Sequence, residues 1–155
     1  MRRNERQVSK KSALRDIIEA CDTCRIAFYT EKAPYIVPLS FGFTWDDTLE
    51  LYFHCAIEGR KIDLMRACDQ VGFEMDTGHD LIKDEIACNW STLYKSVIGA
   101  GRLSLVDDHE QKIRCMDRIM EHYGSKGSPA YDPAVLKRTA VLKLEVTELS
   151  GKEKR

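Results

Sequence analysis

The chain has 155 residues, 43% hydrophobic and 32% charged, with four prolines and nine glycines. That is enough for one ordinary domain, residues 1–155, with a full core, and it excludes collagen-like and disordered compositions. The formal net charge is -1 with acids and bases interspersed, so nothing chain-wide points to nucleic acid or an acidic membrane, and any anion site must be local.

The opening stretch, Met1-Arg2-Arg3-Asn4-Glu5-Arg6, lacks the apolar run of a signal peptide, and no later segment reaches the roughly 20 apolar residues of a membrane span. A cytoplasmic location is expected. The six cysteines, at positions 21, 24, 55, 68, 88 and 115, then read as reduced thiols and not as a disulfide framework.

Leu14, Ile17, Ile18 and Cys21 recur at helical spacing with charges between them, which predicts a short amphipathic helix. Arg25 to Thr30 reads as a strand. After the break at Glu31 to Pro34, a second strand is expected over Tyr35-Ile-Val-Pro-Leu-Ser-Phe-Gly-Phe43, with Pro38 demanding an edge or a bulge because it has no donor. Trp45 to Thr48 supplies a turn and Leu49 to His54 a third strand. Glu58-Gly-Arg-Lys61 then opens a helix whose Ile62, Met65 and Cys68 share a face.

Gln70 to Met75 predicts a fourth strand and Asp76 to Glu85 a polar loop. Strands follow over Ile86 to Tyr94 and Ser96 to Val106, with bulges expected at Gly99 and Gly101. Asp107 with Glu110 resembles a capping box for a helix ending at Gly124, and Asp132-Pro133 opens a short helix through about Lys137. A last strand is expected from Thr139 to Leu149. About seven strands in hairpin-like succession with helices at the start, middle and end give an α+β class, mainly antiparallel β, built on a barrel. The alternation of a doubly wound sheet and a Gly-rich dinucleotide fingerprint are both missing.

The stretch from Leu51 to Met65 carries the clearest chemical signal. It runs from a strand end through Gly59 into a helix start bearing Arg60 and Lys61, the layout in which unpaired helix N–H groups and two cations hold a phosphate. An isolated Arg-Lys pair is otherwise most often simply solvated. His54, at the strand end, is the candidate for proton delivery near neutral pH, or it bonds backbone there. His79, His109 and His122 have no partner motif. Cys21-Asp-Thr-Cys24 has the spacing of half a zinc site or of a redox pair, but no second pair follows, so it reads as structural. Trp45 and the other aromatics read as core and turn residues.

Three blocks carry a resemblance when taken in order: Tyr35-Ile-Val-Pro-Leu-Ser-Phe-Gly-Phe43, Tyr52-Phe-His-Cys-Ala-Ile-Glu-Gly-Arg-Lys61 and Tyr94-Lys-Ser-Val-Ile-Gly-Ala-Gly101. Together they resemble the signature of the pyridoxamine 5'-phosphate-oxidase-like flavoproteins, in the nitroimidazole-resistance branch. The resemblance implies an FMN-binding split β-barrel with flanking helices, working as a homodimer with FMN at the subunit interface. It places the FMN phosphate on Arg60 and Lys61, lines the ring with Val37, Pro38, Leu39 and Ser40, and sets His54, Cys55 and Ala56 along ribityl and ring. It adds Ser96 as a flavin or phosphate contact, with Trp90 and Tyr94 reaching in from the partner subunit. The implied activity is electron transfer from NADH or NADPH to a small acceptor such as a nitroaromatic compound. The alternatives are a non-catalytic flavin- or haem-binding sensor or carrier and, last, oxidation of pyridoxamine phosphate, for which the chain is short.

Overall fold

A computed structural model describes residues 4–127 and 129–155; Met1 to Arg3, the start of the basic N-terminal stretch, lie outside the described residues. In chain order the elements are β1 (Gln7–Val8), α1 (Lys11–Ala20), β2 (Cys24–Phe28), β3 (Tyr35–Leu39), β4 (Phe41–Trp45), β5 (Leu49–Ala56), α2 (Arg60–Ala67), β6 (Gln70–Ile82), β7 (Ser91–Leu105), α3 (His109–His122), α4 (Pro133–Lys137) and β8 (Thr139–Lys154).

All strand pairings are antiparallel, in the order β3-β2-β6-β7-β8-β5-β4, with β1 added alongside the end of β8. The two ends of that order, β3 and β4, are separated in the chain by Ser40 alone. Neighbouring Cα atoms are only about 3.8 Å apart, so the two sheet edges must approach each other there. The sheet is therefore curled into a barrel that is split along one seam.

The predicted strand from Tyr35 to Phe43 is corrected accordingly: it is two strands that pair with different partners. Pro38 takes the edge position that its missing donor requires, since β3 pairs with β2 alone. The polar segment predicted as a loop, Asp76 to Glu85, is corrected as far as Ile82, with Lys83 to Glu85 left outside strand and helix. β6 continues through Ile82, and the strands expected on either side of Lys95 are one strand, β7, so the two form a long hairpin arm with a bulge between Thr77 and Asp80. A second irregularity, where β7 meets β8 at Ala100 and Gly101, falls where the glycines of β7 announced one.

The last strand runs on to Lys154, and the described residues form eight strands, not seven. α3 is capped by Asp108, whose carboxylate accepts from the Gln111 N–H at 2.8 Å, in place of Asp107. α4 is capped as expected, by Asp132. Cys68 lies beyond the end of α2 in extended conformation and not on its face.

Strand alternation sends one set of side chains into the barrel. Ile26, Phe28, Leu51, Phe53, Phe73, Met75, Val97, Leu103, Leu142 and Leu144 meet there, with Leu14, Ile17 and Ile18 of α1 and Ile62 and Met65 of α2 joining the same core. A smaller cluster of Tyr52, Cys115, Ile119 and Val141 sits on the outer face of β5 and β8 beneath α3.

Candidate functional site

The seam of the barrel collects most of the residues that the sequence nominates. β3 has a partner on one side only, so its other edge presents unpaired main-chain groups around Val37, Leu39 and Ser40, with Pro38 contributing a carbonyl and no donor. The side chains of Val37 and Leu39 turn toward the core, while Pro38 and Ser40 are exposed.

β5 ends at Ala56. There His54 is exposed on the outer face, opposite Val141, while Cys55 turns inward and packs against the main core. His54 and Cys55 therefore look to opposite sides of the sheet, as neighbouring strand residues must. Burial pushes the Cys55 thiol up, and the nearby Lys61 ammonium opposes that shift. Lys61, the second residue of α2, follows soon after β5 ends at Ala56.

α2 begins immediately afterwards. Gly59 has φ +129°, a conformation that side chains disfavour, and its carbonyl accepts from the N–H groups of Ile62 and Asp63 at 2.9 and 3.2 Å. No side chain caps this helix, and its first two residues are Arg60 and Lys61. Cations in a first turn oppose the helix dipole; Asp63 in the same turn offsets part of that charge, and the uncapped N–H groups with Arg60 and Lys61 leave room for an anion. The Arg60 guanidinium lies 4.3 Å from the centre of the Tyr35 ring, at cation–π distance. This stack brings the start of α2 to the start of β3. Beside it, Thr30 to Tyr35 and Arg60 line a cavity of about 480 Å³.

Val37 to Ser40, His54 to Ala56, Arg60 and Lys61 thus belong to one neighbourhood around the seam. Ser96, Tyr94 and Trp90 do not join it within the chain. Ser96 lies opposite Asp76 and Lys152, and Tyr94 opposite Lys154. β7 is three strands away from β3 across the sheet, roughly 14 Å at ordinary strand spacing. Trp90 follows the tip of the hairpin arm, where its indole N–H donates to the Asp84 carbonyl at 2.7 Å and its ring lies 5.9 Å from the Lys83 ammonium. Tyr35 is the site residue whose role went unrecognised; an aromatic residue at the start of an edge strand was the available signal.

The cysteine pair at 21 and 24 is buried at the junction of α1 and β2. Burial first, and the Asp76 and Glu74 carboxylates second, push the Cys21 thiol up to about 12, and burial raises Cys24 as well. Thiols so strongly biased to the protonated form are poor nucleophiles and poor metal ligands, which favours the structural reading. His122 lies nearby, its Nε2–H donating to the Cys21 carbonyl at 2.7 Å and its ring 4.3 Å from that of Phe41.

Among the described residues no helix is long and apolar enough to cross a membrane. A profile of the family described as pyridoxamine 5'-phosphate oxidase matches residues 10–153. No curated relative matches. Among solved structures, a candidate 5-nitroimidazole antibiotic resistance protein from Bacteroides thetaiotaomicron is 28% identical over 95% of this chain and 86% of its own, with a TM-score of 0.82. The FAD and heme binding protein from Mycobacterium smegmatis is 17% identical, covers 97% of this chain and 74% of its own and has a TM-score of 0.82. A flavocytochrome from Azotobacter vinelandii, 18% identical, covers 100% and 72% at 0.80. The last two identities speak to the fold alone, which is the split barrel described above.

Proposed function

Because the chain belongs to the pyridoxamine 5'-phosphate oxidase family, we propose that it is an FMN-dependent oxidoreductase that passes electrons from NADH or NADPH to a small acceptor such as a nitroaromatic compound. The observation that carries this reading is the Arg60–Tyr35 stack, which sets an uncapped, doubly cationic helix start against the free edge of β3. That combination fits a phosphorylated planar heterocycle: the phosphate meets Arg60, Lys61 and the first N–H groups of α2, while the ring meets the main chain of Val37 to Ser40. A flavin bound there supplies the electron transfer itself, and the protein's part is binding, orientation and tuning.

In this reading Arg60 and Lys61 hold the phosphate by charge-assisted bonds. The free edge of β3 orients the ring through main-chain groups. Cys55 closes the inner side of the site as a neutral packing group, consistent with its raised pKa. His54, exposed at the strand end, is the residue placed to move a proton to a substrate. Ser96, Tyr94 and Trp90 reach the site from the partner subunit of a homodimer, since β2 and β6 lie between them and β3 within one chain.

The similarity to proteins described as binding both flavin and haem supports a second reading, a sensor or carrier without a dedicated substrate. The absorbance spectrum of the purified protein, with chromatography of the molecule released on heating, tests both. FMN bleaching with NADH or NADPH and recovering with a nitroaromatic acceptor is the expected result. An intense Soret band, or bound FMN that no nicotinamide reduces, favours the second. A colourless protein that fails to bind added FMN overturns both.

A further inference from the structure

We propose that the cleft between α3 and α4 binds a small organic anion with a flat apolar body, at a site distinct from the seam of the barrel. The cleft encloses about 710 Å³ between Asp107, His109, Lys112 and Ile113 on one side and Pro129, Tyr131, Pro133, Leu136 and Lys137 on the other. That volume lies within the range of roughly 300 to 1,000 Å³ typical of small-molecule sites.

Its walls are of two kinds. Ile113, Pro129, Pro133, Leu136 and the face of Tyr131 form an apolar surface, and the two prolines have no N–H to satisfy there. The Tyr131 hydroxyl is turned out of use, because it donates to Asp117 at 2.8 Å. That bond also fixes the ring as a flat wall.

The charges lie on the other kind of wall. Lys112 is held against the cleft by a 2.6 Å bond from its ammonium to the Leu136 carbonyl, in a partly buried position. An ammonium has three donors, and this bond uses one. Among the described residues no carboxylate forms an ion pair with Lys112 or Lys137. Among the described residues Asp107 is the single carboxylate of the lining, which also holds two lysines. A carboxylate supplies the missing charge, and an aromatic or cyclic body covers the apolar wall; a bare inorganic anion leaves that wall wet and a cation meets like charge.

The test uses the full-length protein and benzoate as the probe, with benzylamine as a cationic match of similar size, followed by amide chemical shifts. Benzoate should cause saturable shifts concentrated at His109, Ile113, Tyr131 and Leu136, benzylamine should cause none, and Lys137→Met should weaken benzoate binding about tenfold, the loss of one charge-assisted bond. Lys137 is exposed, so its exchange leaves the fold intact, and the spectrum of the variant verifies this. Lys112→Met should weaken binding at least as much. The proposal is overturned if benzoate gives no saturable shift up to its solubility limit, if the shifts gather around Tyr35 and Arg60 instead, if benzylamine binds equally, or if both lysine variants bind benzoate like the parent.

Discussion

Arg60 and Lys61 stand where a helix dipole makes cations unwelcome, and neither is offset by a cap, since α2 has no side-chain partner at its first N–H groups. If a phosphate completes this arrangement, removing the cations should be felt in cofactor affinity before anything else. Each deletion removes charge-assisted bonds worth about 1.5 to 3 kcal/mol, so Arg60→Ala with Lys61→Ala should weaken FMN at least tenfold in a fluorescence-quenching titration. Both side chains are at the surface or half-buried, and thermal unfolding of the apoprotein should change little. Unaltered affinity would remove the phosphate from this helix. The position of the two cations at a helix start was legible in the sequence because the Gly-Arg-Lys run follows a strand end, although such a pair is by itself most often solvated. Tyr35 was not, because cation–π contact depends on where a distant helix begins.

Beneath α3, the β4–β5–β8 surface holds a polar network whose members come from three strands. The Glu50 carboxylate accepts from the Tyr52 hydroxyl at 2.7 Å and from the Lys143 ammonium at 3.0 Å, and the Tyr52 hydroxyl also lies 2.8 Å from that of Thr44. Burial by itself would raise the Glu50 pKa, but the bonds from Tyr52 and Lys143 outweigh it and hold the carboxylate below its ordinary range. A carboxyl with a depressed folded pKa contributes stability that is full above the unfolded value, about 4.3 for glutamate, and is lost as pH falls through the folded value. Glu50→Gln should therefore lower the melting temperature near neutral pH, and the gap to the parent should close as pH falls below about 4. A gap that stays constant with pH would show that Glu50 acts through packing alone. The network was invisible in the sequence because Glu50, Tyr52 and Lys143 meet only through the pairing of β5 with β8. The same holds for the broken strand. Tyr35 to Phe43 is continuous in β propensity, and only the barrel's closure decides that Ser40 is a corner. The hairpin arm was missed for a different reason, since Asp76 to Glu85 is polar enough to read as a loop while the strand pairing with β7 continues as far as Ile82. Elements with their own signals, such as the stripe of α1 and the Asp-Pro start of α4, needed no such help.

At the scale of the whole molecule, the sheet has one face that no helix covers among the described residues. α3 lies over β4, β5 and β8, and α1 and α2 pack into the core. Across β3, β2, β6 and β7 the outward positions Ile36, Ala27, Gly72 and Ala100 fall in one row, and Pro38, Arg25, Glu74 and Ile98 in the next. Ile36 is 60% exposed and Ile98 54%, two large aliphatic side chains on the outside of the sheet. The small residues between them leave the surface flat enough for another sheet to approach. Arg25 is paired on this face, its guanidinium spanning Glu74 at 3.1 Å and Asp76 at 2.5 Å, so the trio carries a single net negative charge beside the aliphatic positions. The proposed homodimer needs such a face, because Ser96 borders it and Trp90 and Tyr94 continue along the same strand and arm. Ile36→Glu with Ile98→Glu places charge where two apolar surfaces would meet, which costs far more in an interface than on a solvated sheet. Sedimentation equilibrium should then find a dimer for the parent and a monomer for the variant, and the monomer should bind FMN more weakly although Arg60 and Lys61 are unchanged. A variant that remains dimeric would move the interface to another surface, whereas a monomer that keeps full FMN affinity would confine the cofactor to the residues at the seam of one chain.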